Sequence, residues 1–335
     1  MRKTFRTEIL PTHTPALFDA AVAQAVDRLR AGDVVALPTE TVYGLAANAL
    51  DPAAVARIYD VKGRPAHNPI ICHVASHALA RRCVTAWPAA AAALARAFWP
   101  GPLTLVLPRA PLIPEIVTAG GPTVGIRWPG HPFMQAVIAA CDFPLAAPSA
   151  NLSNQLSPTS AEHVRKQLDG RIPLIVDGGQ SNVGIESTVV DVSGVPPRLL
   201  RPGMIHDEAL LAVTGELATG GLTGVLRSPG LLRKHYSPRA RLRILRWQNE
   251  AELRAQQAGR APFARTCVVA HTHVPGGADW LRVAVVPHDA EAFARALYAE
   301  LHQCDDAGAE EIIVEAPPAT AEWRAISDRL TRGAA

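Results

Sequence analysis

The chain lacks most of the residue patterns that announce a function at sight. Its 335 residues include five cysteines (Cys72, Cys83, Cys141, Cys267 and Cys304), odd in number and nowhere paired as CxxC. A disulfide framework and structural zinc are therefore not expected, and each thiol reads as a small buried hydrophobe in a reducing compartment. There is no GxxxxGK[ST] loop and no GxGxxG opening a helix, which disfavours a Walker-type nucleotidase or a dinucleotide fold. No GxSxG elbow points to a hydrolase serine. No HExxH or His/Cys tetrad occurs, and His271 and His273 read as exposed strand residues rather than metal ligands. The most apolar uncharged stretch, residues 83–95, contains Pro88 and is too short to span a bilayer. The basic N-terminus MRKTFRTEILPTHTP has no apolar segment behind it, so no secretory signal is expected. A soluble, cytoplasmic protein with no membrane association is the expectation.

What is present is a well-provided interior. Hydrophobic residues make up 48% and charged residues 19%, enough apolar surface for sizeable cores in a chain of roughly two domains. The formal net charge is only +3, so anion binding has to come from local clusters rather than a global field. Thr14-Pro15 and Asp51-Pro52 each place a capping side chain before a proline, the start of a helix. Short apolar runs at VVALPT, PIICHV, LTLVLP, TVGIR, PLAAPS, PLIVDGG, STVVDV and RLLRPG predict strands. The fold class expected is α/β: a large mixed twisted sheet with packed helices over residues 1–206. A glycine-rich connection, 207–238, leads to a smaller α/β (Rossmann-like) domain, 239–335, with strands at RLRILRW, TCVVAH, LRVAVVP and EIIVEA.

Polar clusters follow several of these strands, where open α/β sheets place ligands. LPTETVYGL offers two threonines, a glutamate and a tyrosine. In KGRPAHNPIICHV, Lys62 and Arg64 lie two apart in a proline-stiffened segment, and alternation would put both cations on one side to grip phosphate, with Asn68 and His73 as neutral donors. Arg127 ends TVGIR and suits a carboxylate or phosphate. APSANLSNQLSPTS is uncharged but crowded with hydroxyls and amides. Ser187 and Thr188 open ESTVVDV, and Arg201 follows the strand before Pro202-Gly203. Arg227, Arg233, Lys234, Arg239, Arg241, Arg243 and Arg246 make a basic run with no acid among them. It reads as a loop able to close over a polyanion, as a solvated linker, or as a nucleic-acid footprint.

In order and wording, PTETVYGL, KGRPxxNP, WPGPLT, GIRxP, PSAN, DGG followed by ESTVVD, LRPG and KHYSP resemble the Sua5/YrdC/YciO family, in its long Sua5 branch. The resemblance implies a YrdC-like catalytic domain and a C-terminal Sua5 domain. The implied activity is L-threonylcarbamoyladenylate synthesis from L-threonine, bicarbonate and ATP, with Mg²⁺ bridging the phosphates. The product would be handed to the machinery that places N6-threonylcarbamoyladenosine (t6A) in tRNA, with weak RNA binding in addition. By motif, Thr41, His73, Arg127, the backbone at Ala147, and Ser187 would hold threonine. Arg64, Asn68, Thr123, Ser149, Ser157, Arg201 and Tyr236 would hold ATP, with Lys62 and Arg64 as the catalytic cations and Tyr236, with His235, as a lid. Ala46 departs from the glycine usual in the family. Two rivals remain: a double-stranded RNA-binding or ribosome-maturation protein of the same fold, and carbamoyl transfer of the hydrogenase-maturation type. The latter calls for zinc-finger cysteine pairs that this chain lacks.

Overall fold

A computed structural model of the chain describes residues 5–219 and 236–335. They fall into two compact units, the first holding residues 5–153, 157–182 and 186–219 and the second residues 154–156, 183–185 and 236–335. His235 and the basic residues 227, 233 and 234 lie outside the described residues.

The first two helices form as their caps predict. In α1 (Pro15–Arg30) the Thr14 hydroxyl accepts from the Leu17 amide at 3.3 Å, and Ala21, Ala25, Val26 and Leu29 form the buried stripe. In α2 (Pro52–Lys62) the Asp51 carboxylate accepts from the Ala53 amide at 2.9 Å. Gly63 ends it in the left-handed region, φ 59°, a conformation that glycine adopts without the Cβ penalty. The sequence-based picture of Lys62 and Arg64 alternating on an extended segment is corrected here: Lys62 is the last residue of a helix, and the turn at Gly63 redirects the chain before Arg64.

Eleven strands build the sheet of the first unit: β1 (Glu8–Pro11), β2 (Val35–Leu37), β3 (Gly44–Asn48), β4 (Cys72–His73), β5 (Leu103–Pro108), β6 (Thr123–Arg127), β7 (Leu145–Ala146), β8 (Leu174–Asp177), β9 (Thr188–Asp191), β10 (Arg198–Arg201) and β11 (Ala218–Thr219). Their order is β1-β8-β2-β3-β7-β4-β6-β5-β9-β10-β11, with parallel and antiparallel pairs mixed. The expected runs PIICHV and PLAAPS shrink to two-residue strands. Pro69, Pro144 and Pro148 lack the N–H a ladder needs, and the Ile70 amide donates instead to the Val117 carbonyl at 2.8 Å. One large apolar cluster, including Leu29, Leu37, Leu45, Ile58, Leu94 and Phe133, packs strands against helices.

In the second unit β12 (Arg241–Leu245), β13 (Thr266–Ala270), β14 (Arg282–Val285) and β15 (Glu311–Glu315) form a four-stranded sheet ordered β12-β15-β13-β14, all parallel. The described part of the basic run is not loose linker, because Arg241 and Arg243 belong to β12. Arg243 pairs with Glu311 at 3.5 Å and Arg239 with Asp305 at 3.8 Å. His271 and His273 are not strand residues either: they follow β13, and their backbone amides donate to the Glu315 carboxylate.

Gly203 lets the LRPG turn lie directly on the start of β9. A Cβ there would sit 2.4 Å from the Thr188 nitrogen and 2.5 Å from its hydroxyl. Gly203→Ala is expected to lower unfolding stability by about 1–3 kcal/mol through overpacking. The midpoint of a urea transition measures it, and an unchanged midpoint would contradict the contact.

Candidate active site

The sheet order brings the polar strand ends together. Strands β4, β6, β5, β9 and β10 are consecutive neighbours. Along them His73 faces Arg127, Arg127 faces Thr104, Thr104 faces Val189, and Val189 faces Arg201. Direct cross-strand partners project to the same side of a sheet, so these side chains form one row. Four interstrand steps of about 4.8 Å give the row a length of ~19 Å. Ser187, just before β9, joins it: its hydroxyl is 2.8 Å from that of Thr104, and Arg201 Nη2 donates to the Ser187 carbonyl at 2.9 Å and to its hydroxyl at 3.1 Å.

The helix end and two loops meet the row from the β7 side. Lys62 is 2% exposed, and its ammonium donates to the carbonyls of Ser149 at 2.6 Å and Asn151 at 2.5 Å. Burial, together with the Arg64 charge, pushes this amine well below its ordinary range. Arg64 donates from Nε to the Asn68 carbonyl at 3.0 Å and from Nη2 to the Pro69 carbonyl at 2.7 Å. It is buried. Ala147 donates its amide to Ile71 at 3.1 Å, and Ser149 bridges Gly44. The Thr39 hydroxyl lies 2.9 Å from that of Thr41 and donates to the Val42 carbonyl at 2.6 Å, closing the TETV turn beneath them. Tyr43 anchors this loop elsewhere, donating to the Gly179 carbonyl at 2.7 Å.

Polar atoms left over mark the site. Ten buried side-chain nitrogens and oxygens among the described residues make no hydrogen bond, and six of them belong to Glu40, Asn68, His73 and Arg127. Such groups are costly unless something satisfies them, and a polar ligand does. Arg127 Nη2 and Glu40 Oε1 are 2.8 Å apart, an ion pair whose angle falls outside hydrogen-bond geometry. Burial raises the Glu40 carboxyl, but the Arg127 charge offsets this and holds it below the usual carboxylate range. Burial, and then the Arg127 charge, lowers His73 to about 3, so its ring is neutral at physiological pH.

Of the residues expected from sequence, Thr41, Lys62, Arg64, Asn68, His73, Arg127, Ala147, Ser149, Ser187 and Arg201 thus sit on contiguous strand ends and loops of the first unit. Ser157 is buried and donates to the Glu186 carboxylate at 2.6 Å. Thr123 begins β6, four residues and about 13 Å from Arg127, away from the row. Tyr236 belongs to the second unit, where its ring is 6.0 Å from Tyr298 and 5.4 Å from the Arg329 guanidinium. Sequence reasoning gave no role to Glu40, Thr104, Asn151 or Glu186. Each lies inside a motif already singled out (PTETVYGL, WPGPLT, PSAN, ESTVVD), so proximity in sequence was the available signal.

A mixed sheet that lines adjacent strand ends with buried cations and hydroxyls defines an α/β protein built to hold an anionic small molecule. The chain belongs to the Sua5/YrdC/YciO family: residues 27–203 match its profile, described as Telomere recombination, and residues 205–335 match the profile described as Threonylcarbamoyl-AMP synthase, C-terminal domain. It is 42% identical over 340 residues to the threonylcarbamoyl-AMP synthase of Bacillus subtilis, covering 99% of this chain and 98% of that one. With the threonylcarbamoyl-AMP synthase of Pyrococcus abyssi the identity is 38% over 309 residues, 91% of each chain. The crystal structure of P. abyssi Sua5 complexed with L-threonine superposes with a TM-score of 0.88 at 35% identity, covering 98% of this chain and 97% of that one.

A neutral buried His73 ties stability to pH. Between pH 6.5 and about 3 the unfolded chain binds a proton at His73 that the folded chain does not. Its share of stability is therefore complete above 6.5 and falls by ~1.4 kcal/mol for each unit of acidification below it. Urea titrations at stepped pH are expected to show a shallower acid limb for His73→Asn than for wild type; equal slopes would contradict a neutral buried ring.

Proposed function

We propose that the chain is an L-threonylcarbamoyladenylate synthase, forming threonylcarbamoyl-AMP and pyrophosphate from L-threonine, bicarbonate and ATP. The observation that carries this reading is the clustering of unsatisfied buried polar atoms at Glu40, Asn68, His73 and Arg127, in a unit that also buries the cations Lys62, Arg64 and Arg201. The name shared by the full-length relatives supports the synthase over an RNA-binding protein of the same fold.

The neutral amine of threonine and bicarbonate give a carbamate with loss of water, and one carbamate oxygen then attacks the α-phosphorus of ATP while pyrophosphate leaves. Such a displacement gains most from alignment and from fixed charge near the phosphoryl oxygens. Arg127 receives the amino acid's carboxylate, a planar fork meeting a planar anion. Thr41, Ser187 and neutral His73 hydrogen-bond the rest of threonine without adding charge. Lys62 and Arg64 face the triphosphate, whose charge favours the protonated form of a lysine that burial alone disfavours. Arg201, Asn68, Ser149 and Ser157 complete the nucleotide contacts, with Thr123 and Tyr236 included on the motif match alone. Magnesium would enter as the counter-ion of ATP, an ion that usually keeps several waters and phosphate oxygens as ligands.

The catalytic domain in this reading is 1–206 and the C-terminal domain 239–335, joined by 207–238. The product passes to the enzyme that completes t6A on tRNA, in the cytoplasm; among the described residues no helix is long and apolar enough to cross a membrane. The test is transfer of radiolabelled bicarbonate into an adenylate when ATP and L-threonine are present, and label that stays in bicarbonate would contradict the function. Asn68→Ala adds a residue-level check. Its amide makes no hydrogen bond, so removing it is expected to leave stability unchanged or raised while reducing turnover with ATP about 10-fold or more. Turnover equal to wild type would remove Asn68 from the nucleotide site.

A further inference from the structure

Glu40 has no role in the site assembled from motifs, yet it is the residue set against Arg127. Its side chain is 13% exposed and that of Arg127 5%, so the pair is held away from solvent. An ionised carboxylate offers about four lone-pair sites, and neither oxygen of Glu40 accepts a hydrogen bond of good geometry. The Gly130 amide helps to hold the charge without meeting that geometry. A cation and an anion, side by side and both short of hydrogen-bond partners, have the charge pattern of an α-amino acid in reverse.

We propose that Glu40 reads the α-ammonium of the amino-acid substrate while Arg127 reads its carboxylate, so that their ion pair is the resting form of a zwitterion site. The inference rests on the synthase reading above, since it concerns the amino-acid half of that site. When a zwitterion inserts, one ion pair becomes two and the net charge of the buried region does not change. The ammonium brings three N–H donors to oxygens that have none, and the carboxylate accepts from the unsatisfied Nη2. A 2-hydroxy acid of the same shape would occupy Arg127 but offer no cation to Glu40, leaving a buried carboxylate uncompensated beside an added negative charge. Discrimination of this kind, by stranding a buried charge on the wrong ligand, is far larger than shape alone achieves. Glu40 is thus a specificity-determining residue of the amino-acid pocket.

Calorimetric titration of the full chain with L-threonine and with its 2-hydroxy analogue, 2,3-dihydroxybutanoate of matching configuration, tests this without turnover. Wild type is expected to favour threonine by ~100-fold or more. Glu40→Gln keeps the shape and removes the charge, and is expected to shrink that ratio by at least ~10-fold, with ATP affinity unchanged. If Glu40 only steadied Arg127, both ligands would weaken alike and the ratio would stand, which overturns the proposal. Wild type binding both ligands equally also overturns it, and needs no variant to fold. A folded wild type that binds no threonine overturns the synthase reading and this one together, whereas threonine binding with an unaltered ratio in Glu40→Gln overturns this one alone.

Discussion

Burying cations is the constraint around which the first unit is arranged. Lys62, Arg64, Arg127 and Arg201 are all buried, and a charge taken out of water needs close polar partners. Backbone carbonyls at Ser149, Asn151, Asn68, Pro69 and Ser187 take the hydrogen bonds of Lys62, Arg64 and Arg201, while Glu40 faces Arg127. A carbonyl orients a cation but does not cancel its charge. That is why burial, with the Arg64 charge, still drives Lys62 well below its usual range. The carbonyls of Ser149 and Asn151 follow the two-residue strand β7, those of Asn68 and Pro69 lie between α2 and the two-residue strand β4, and that of Ser187 immediately precedes β9.

The same constraint explains the division of labour along the row. Thr104, Ser187 and Arg201 are already hydrogen-bonded to one another. The unsatisfied atoms concentrate instead at Glu40, Asn68, His73 and Arg127, at the opposite end. A protein tolerates several such atoms together where a ligand completes them. His73 is a donor-acceptor kept neutral by burial and the Arg127 charge, so it does not add to the positive charge of the row. The second unit holds its own core, with Trp247, Leu253, Val268 and Ile313, and a parallel sheet of its own.

Much of this was legible before any coordinates. Caps at Thr14 and Asp51 and the long runs LTLVLP and TVGIR are local signals, and the structure has both helices and both strands there. Arg127 could be placed at a strand end because period-two apolar residues precede it. Less legible was anything that depends on a turn or on cross-strand order. The left-handed Gly63 turns the chain between Lys62 and Arg64, and nothing in their spacing shows that. The pairing of Glu40 with Arg127 joins residues far apart in sequence, so it waits on the strand order. The burial of Arg64 was missed for a related reason: its carbonyl partners at Asn68 and Pro69 are nearby, but the loop that folds them back is not periodic. Asn151 and Glu186 were hidden in plain sight inside PSAN and ESTVVD, because a motif marks a segment and geometry selects its atoms.

The most direct trial of the account is a crystal structure of the chain with L-threonine and a non-hydrolysable ATP analogue. The arrangement predicts the threonine carboxylate on Arg127 and the phosphates against Lys62, Arg64 and Arg201, on one face of the sheet. Ligands lodged away from that row, with the Glu40–Arg127 pair undisturbed, would contradict it.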